Sequence, residues 1–146
     1  SEPKTEEKQH ISNDFFDEPQ LGMSWKWRYQ MTENLARKLD SEKFGVKDIY
    51  IFGSTKNATA KSGSDVDLLV NFDGSDQQWE LLTSWLEGWS LCMSHINYLK
   101  TGYKTEGLLD VHIITDKDIE NKTSYAQKIN AITDPAKKLN FNREEN

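Results

Sequence analysis

Two carboxylates stand at one end of an apolar stretch, Asp65-Val66-Asp67-Leu68-Leu69-Val70-Asn71-Phe72, and they constrain the fold more than any other feature. Val66, Leu68, Leu69 and Val70 predict a strand buried on both faces, since so continuous a run leaves no polar face for water. Asp65 and Asp67 are two positions apart, so on a strand their side chains leave the same face, roughly 6–7 Å apart. At an effective dielectric of about 20 they repel by roughly 2–3 kcal/mol. A fold that keeps both must place a cation or donors between them, or turn a strand-end aspartate to solvent.

Asp110 repeats the anomaly inside Leu108-Leu109-Asp110-Val111-His112-Ile113-Ile114. Three carboxylates on two apolar strands predict a hard-cation site, with octahedral Mg2+ or Mn2+ as the natural occupant. His112 shares a strand face with Asp110, so it either lines the same pocket or is satisfied by a hydrogen bond. Upstream, Phe52-Gly53-Ser54 sets a glycine and a hydroxyl where a strand ends and a turn begins. Glycine allows close backbone approach, and the N–H groups that follow can cradle a phosphate. An anion site followed by a cation site is the arrangement that a metal-bound triphosphate requires.

Periodicity places these residues on elements. Ser24 reads as an N-cap, and Trp27, Met31, Leu35 and Leu39 step at helical spacing, predicting a helix from Trp25 to Asp40. Beyond Gly45, Asp48 to Phe52 reads as a strand. Thr55 to Ser64 is small and polar, with room for one helical turn near Ala58 to Lys61. The strand Val66 to Phe72 stops at Asp73-Gly74. A second helix follows from Asp76 to about Met93, with a bend expected at Gly88. His95 to Lys104 fits either an extension of that helix or a loop. Leu108 to Thr115 reads as a third strand, and Ser124 to Ile132 as a short last helix. The order predicts an α/β (α+β) domain, a small mixed β-sheet with helices packed on it. Residues 1–20 are expected to be a charged, disordered lead-in, 21–135 the domain and 136–146 a polar C-terminal tail. Because the sequence opens on Ser1 rather than Met, an excerpt or a processed chain is expected.

Charge narrows the partners. A net charge of -6 and a pI near 5.1 disfavour long nucleic acid, because phosphate neutralisation by a cationic surface supplies most non-specific affinity. No apolar run approaches the roughly 18–20 residues a membrane span needs. Cys92 is the single cysteine, so no intrachain disulfide forms, and a reducing, cytoplasmic location is expected.

The segment from Phe52-Gly53-Ser54 through Ser64-Asp65-Val66-Asp67-Leu68 resembles the motif of the DNA-polymerase-β-like nucleotidyltransferase superfamily. That motif is an apolar residue, Gly, then Gly or Ser, a spacer of about ten residues, and Asp-apolar-Asp-apolar. It is most similar to the minimal nucleotidyltransferase (MNT-type) domains. The resemblance implies a nucleotidyltransferase fold over residues 46–115 or so. It implies that Ser54, with the backbone around Gly53, holds the β- and γ-phosphates of an NTP, ATP first among them, with Lys56 and Ser64 as further nucleotide contacts. It implies that Asp65 and Asp67 chelate the bridging metal. Asp110 would ligate a second ion, Mg2+ or Mn2+, and help deprotonate the acceptor hydroxyl. The implied reaction moves an NMP from the NTP to a hydroxyl acceptor and releases pyrophosphate. Where many members carry arginines after Gly-Ser, this chain has Thr55, Lys56 and Asn57; Lys56 and Lys61 would supply charge without a guanidinium fork. The resemblance also admits a regulatory NTP- or metal-binding domain, or an antitoxin-like partner of a helical protein or of a fused larger protein.

Overall fold

The computed structural model of the protein describes residues 23–130 and 135–141; the lead-in expected over residues 1–20 lies outside the described residues. The described elements are α1 (Ser24–Lys38), α2 (Ser41–Phe44), β1 (Val46–Phe52), α3 (Gly53–Lys56), β2 (Val66–Phe72), α4 (Asp76–Thr101), β3 (Leu109–Ile114), α5 (Asp116–Glu120), a 3-10 segment (Ala126–Asn130) and β4 (Lys137–Lys138). The sheet runs β3-β2-β1-β4. β1 pairs antiparallel with both β2 and β4, whereas β2 and β3 are parallel. The expected mixed sheet with helices packed on it is the observed architecture.

Alternation along the strands splits the interior in two. Ile49, Ile51, Val66, Leu68 and Val70 face α1 and α4 and join Leu35, Leu39, Leu82, Leu86 and Met93 in the main core. Tyr50, Phe52, Leu69 and Ile114 form a smaller cluster on the opposite face, with Ala126 and Ala136. β2 is buried at all seven positions, as its apolar run predicts. The parallel step from β2 to β3 requires a long crossover, and α4 supplies it with 26 residues.

Several elements depart from the periodicity. Ser24 is the first residue of α1 rather than its cap; Met23 precedes it, and no side chain caps the helix. α2 escapes the pattern because caps make it: the Asp40 carboxylate accepts from Lys43 N at 3.1 Å, and Gly45 closes it at φ +70°. The helical turn expected near Ala58 to Lys61 sits at α3, directly after β1, and Ala58 itself is left-handed at φ +62°. α4 passes through Gly88 unbroken and absorbs most of the ambiguous 95–104 stretch. It starts at a reciprocal cap between Ser75 and Gln78 and stops at Gly102, φ +82°. α5 was not anticipated; Thr115 and Asp118 cap it reciprocally. The helix expected over Ser124 to Ile132 is a 3-10 segment, and residues 131–134 lie outside the described residues. β4 lies within the stretch expected to be tail, and beside it Leu139 is buried in the main core.

Asp116 ties the start of α5 to the sheet. Lys47 and Asn71 both donate to its carboxylate, and the Lys47 bond holds that carboxyl below the ordinary range. No helix among the described residues is long and apolar enough to cross a membrane.

Candidate functional site

On the smaller-cluster face, the end of β1 meets the beginnings of β2 and β3. Phe52 pairs with Asp67, and Asp67 pairs in turn with Asp110. The parallel register of β2 and β3 therefore sets these two aspartates side by side on one face. Asp67 is only 5% exposed, whereas the Asp110 carboxylate is half-exposed. Gly53 lies over Asp67 at φ +75°, and a Cβ there would overlap the carboxylate Oδ2. The positive φ and the close approach both require glycine.

His112 follows Asp110 on the same face, with its Nε2 3.4 Å from Asp110 Oδ2. Its ring stacks on Tyr125 at a centroid distance of 3.8 Å and an interplanar angle of 19°, and lies 5.8 Å from the Phe52 ring. One ligand atom each from Asp67, Asp110 and His112 lie within 4.8 Å of one another. Two carboxylate oxygens and an imidazole nitrogen, on residues from buried to half-buried, are a donor set that fits a divalent cation.

Asp65 stands immediately before β2, which begins at Val66. It is partly buried and lies outside the convergent group. The structure thus brings Asp67 and Asp110 together as the sequence suggested, and adds His112 to them.

The turn before β2 is held from below. Ser64 N donates to Lys61 O at 3.0 Å, and the Ser64 hydroxyl accepts from Lys61 N at 2.9 Å. The hydroxyl of Ser64 thus shapes the turn. Arg28, fully buried on α1, donates to Ser64 O at 3.1 Å through Nε and to Ser62 O at 3.0 Å through Nη2. The same Nη2 reaches Asn97 Oδ1 at 2.8 Å, and Nη1 reaches Ser24 O at 3.0 Å. Asn97 of α4 adds a bond from Nδ2 to Ser62 O at 2.8 Å. A buried guanidinium needs partners for its donors, and here three backbone carbonyls and the Asn97 amide oxygen accept from it.

Sequence reasoning missed Arg28 and Asn97. The expected apolar stripe on α1 included Trp27 and Met31, which are only half-buried; Ser24, Arg28 and Thr32 are buried instead. Their four-residue spacing was the available signal, a polar stripe continuous with Leu35 and Leu39.

The residues expected to contact phosphate are divided. The hydroxyls of Ser54 and Thr55 are buried with no hydrogen-bond partner among the described residues. Ser54 O accepts from Thr59 N at 2.8 Å, which folds the segment after α3 back on itself. Lys56 Nζ donates to Pro135 O at 2.8 Å and so ties α3 to the segment that leads into β4.

The model of the nucleotidyltransferase domain family matches residues 33–139, well over half of the chain and inclusive of every residue of the convergent group. No curated protein and no solved structure matches it.

Proposed function

The chain belongs to the nucleotidyltransferase domain family, and from that footing we propose that it moves an NMP from an NTP to a hydroxyl acceptor, releasing pyrophosphate. ATP is the proposed donor and Mg2+ or Mn2+, as one or two ions, the proposed cofactor. The observation that carries this reading is the register that sets Asp67 beside Asp110 beneath Gly53.

In this proposal Asp65, Asp67 and Asp110 hold the metal. Metal bound there would neutralise triphosphate charge and stabilise the entering and leaving oxygens of an in-line displacement. The acceptor oxygen bonds to the α-phosphorus while the bond from that phosphorus to the pyrophosphate oxygen breaks. Asp110, the more exposed aspartate, takes the hydroxyl proton. Ser54 donates its hydroxyl to the β- or γ-phosphate, which would supply the partner that this buried oxygen lacks. Gly53 keeps the backbone close enough for that contact. Ser64 acts through the turn it closes, and Lys56 reaches phosphate by exchanging its bond to Pro135 O.

The acceptor is proposed to be a small-molecule or protein hydroxyl, on a separate partner or a fused domain, in the cytoplasm. A net charge of -6 offers little grip on long nucleic acid. The test is pyrophosphate release from each labelled NTP, with Mg2+ or Mn2+ and candidate acceptors. Asp67→Asn and Asp110→Asn should each lower turnover by about two orders of magnitude or more, the scale of losing one preorganised electrostatic contact. NTP binding without pyrophosphate release, unchanged by Asp110→Ala, would leave a non-catalytic nucleotide-binding domain in place of the enzyme.

A further inference from the structure

His112 belongs to none of the roles above, yet its ring nitrogen stands with Asp67 and Asp110, two of the aspartates that hold the metal in the proposed reaction. We propose that His112 is a further protein ligand of that metal and biases the site towards Mn2+ over Mg2+; the inference rests on the metal-dependent reading of the site.

Three observations carry it. The ligand atoms of Asp67, Asp110 and His112 lie within 4.8 Å of one another, so small side-chain adjustments bring them onto one ion. The imidazole is packed in this position, with Tyr125 stacked on it at 3.8 Å and Phe52 near it. The ring is also shielded, its side chain 20% exposed against 46% for Asp110. A stacked, half-buried imidazole aimed at two carboxylates is preorganised to ligate at little entropic cost.

The metal preference follows from ligand chemistry. Mg2+ takes oxygen ligands and sheds water reluctantly, so an imidazole adds little to its binding. Mn2+ stands at the weak end of the first-row series and shares the taste of Mg2+ for oxygen, but as a transition ion it tolerates one imidazole in an otherwise oxygen shell better than Mg2+ does. An imidazole in the shell adds to whatever preference the carboxylates give. The rival role for His112 is a hydrogen bond that orients Asp110 without touching the ion.

The experiment uses the full chain labelled with 15N-histidine. Mn2+ binding is followed by electron paramagnetic resonance, with Mg2+ as competitor, with and without ATP. Pulsed measurements on the bound ion should show a 15N coupling, and His112→Phe should remove it while keeping the stack on Tyr125. The same variant should weaken Mn2+ by about tenfold or more, the scale on which even groups behind a ligand act. Mg2+ affinity should stay within about twofold. His112→Gln, which keeps polarity but not the ring, should behave likewise. If Asp67→Asn abolishes Mn2+ binding but the bound ion shows no histidine coupling, the proposal for His112 fails and the metal site stands. A coupling that survives His112→Phe, or an unchanged Mn2+-to-Mg2+ ratio in both variants, also overturns it. Absence of either ion's binding, even with ATP, overturns both readings.

Discussion

Arg28 and Gly53 shape the same few ångströms of backbone from opposite sides. Gly53 covers the Asp67 carboxylate so closely that any side chain would displace it. Arg28 holds the carbonyls of Ser62 and Ser64 from within the fold. Replacing Arg28 by Met would take this donor from Ser64 O and Asn97 Oδ1, each at a cost of about 1–3 kcal/mol, while Ser62 O keeps its bond from Asn97 Nδ2. Arg28→Met should therefore destabilise the domain by about 3 kcal/mol or more in urea unfolding, and Arg28→Lys should recover only part of it. An unchanged midpoint would mean that the turn before β2 does not depend on this side chain. Gly53, Asp67 and Asp110 were legible in the sequence because each violates its surroundings: a glycine at a strand end, acids among branched apolar residues. Arg28 violates nothing locally. Its burial depends on carbonyls 34 and 36 residues away, and no window along the helix contains them.

Among the elements, those long enough to bury a continuous face were readable and those made by caps were not. β2 and about the first two-thirds of α4 follow from apolar run and helical stepping. α2 and α5 are single turns fixed by the Asp40 cap and by the Thr115–Asp118 pair. α4 supplies a test at this scale. Gly88 lies inside the helix on its exposed side, and a Cβ there would meet nothing within 4 Å. Gly88→Ala should stabilise the protein by about 0.5–1 kcal/mol. For a domain of this size that is roughly 1–4 °C in the thermal midpoint. A lowered midpoint would show that this position contributes something other than helix.

For the whole molecule, the two sheet faces have separate tasks. The face under α1 and α4 carries the main core, and the other keeps a smaller cluster beside the Asp67–Asp110–His112 group. That division follows from period-two alternation and was predictable once the strands were known. The extent of the sheet was not, because β4 is two lysines with no apolar signal of their own. Those two residues also decide where this chain can be cut. They pair with Tyr50 and Ile51, Leu139 N continues the pairing to Ile49 O at 2.9 Å, and Ala136 and Leu139 pack on opposite faces of the sheet. Ending the chain at residue 135 would strip this cover and turn β1 into an open edge whose neighbouring side chains are Ile49, Tyr50 and Ile51. Bare, apolar edges template pairing between molecules. A protein shortened in this way should self-associate in light scattering at concentrations where the full chain does not, so the last strand acts as a guard against aggregation.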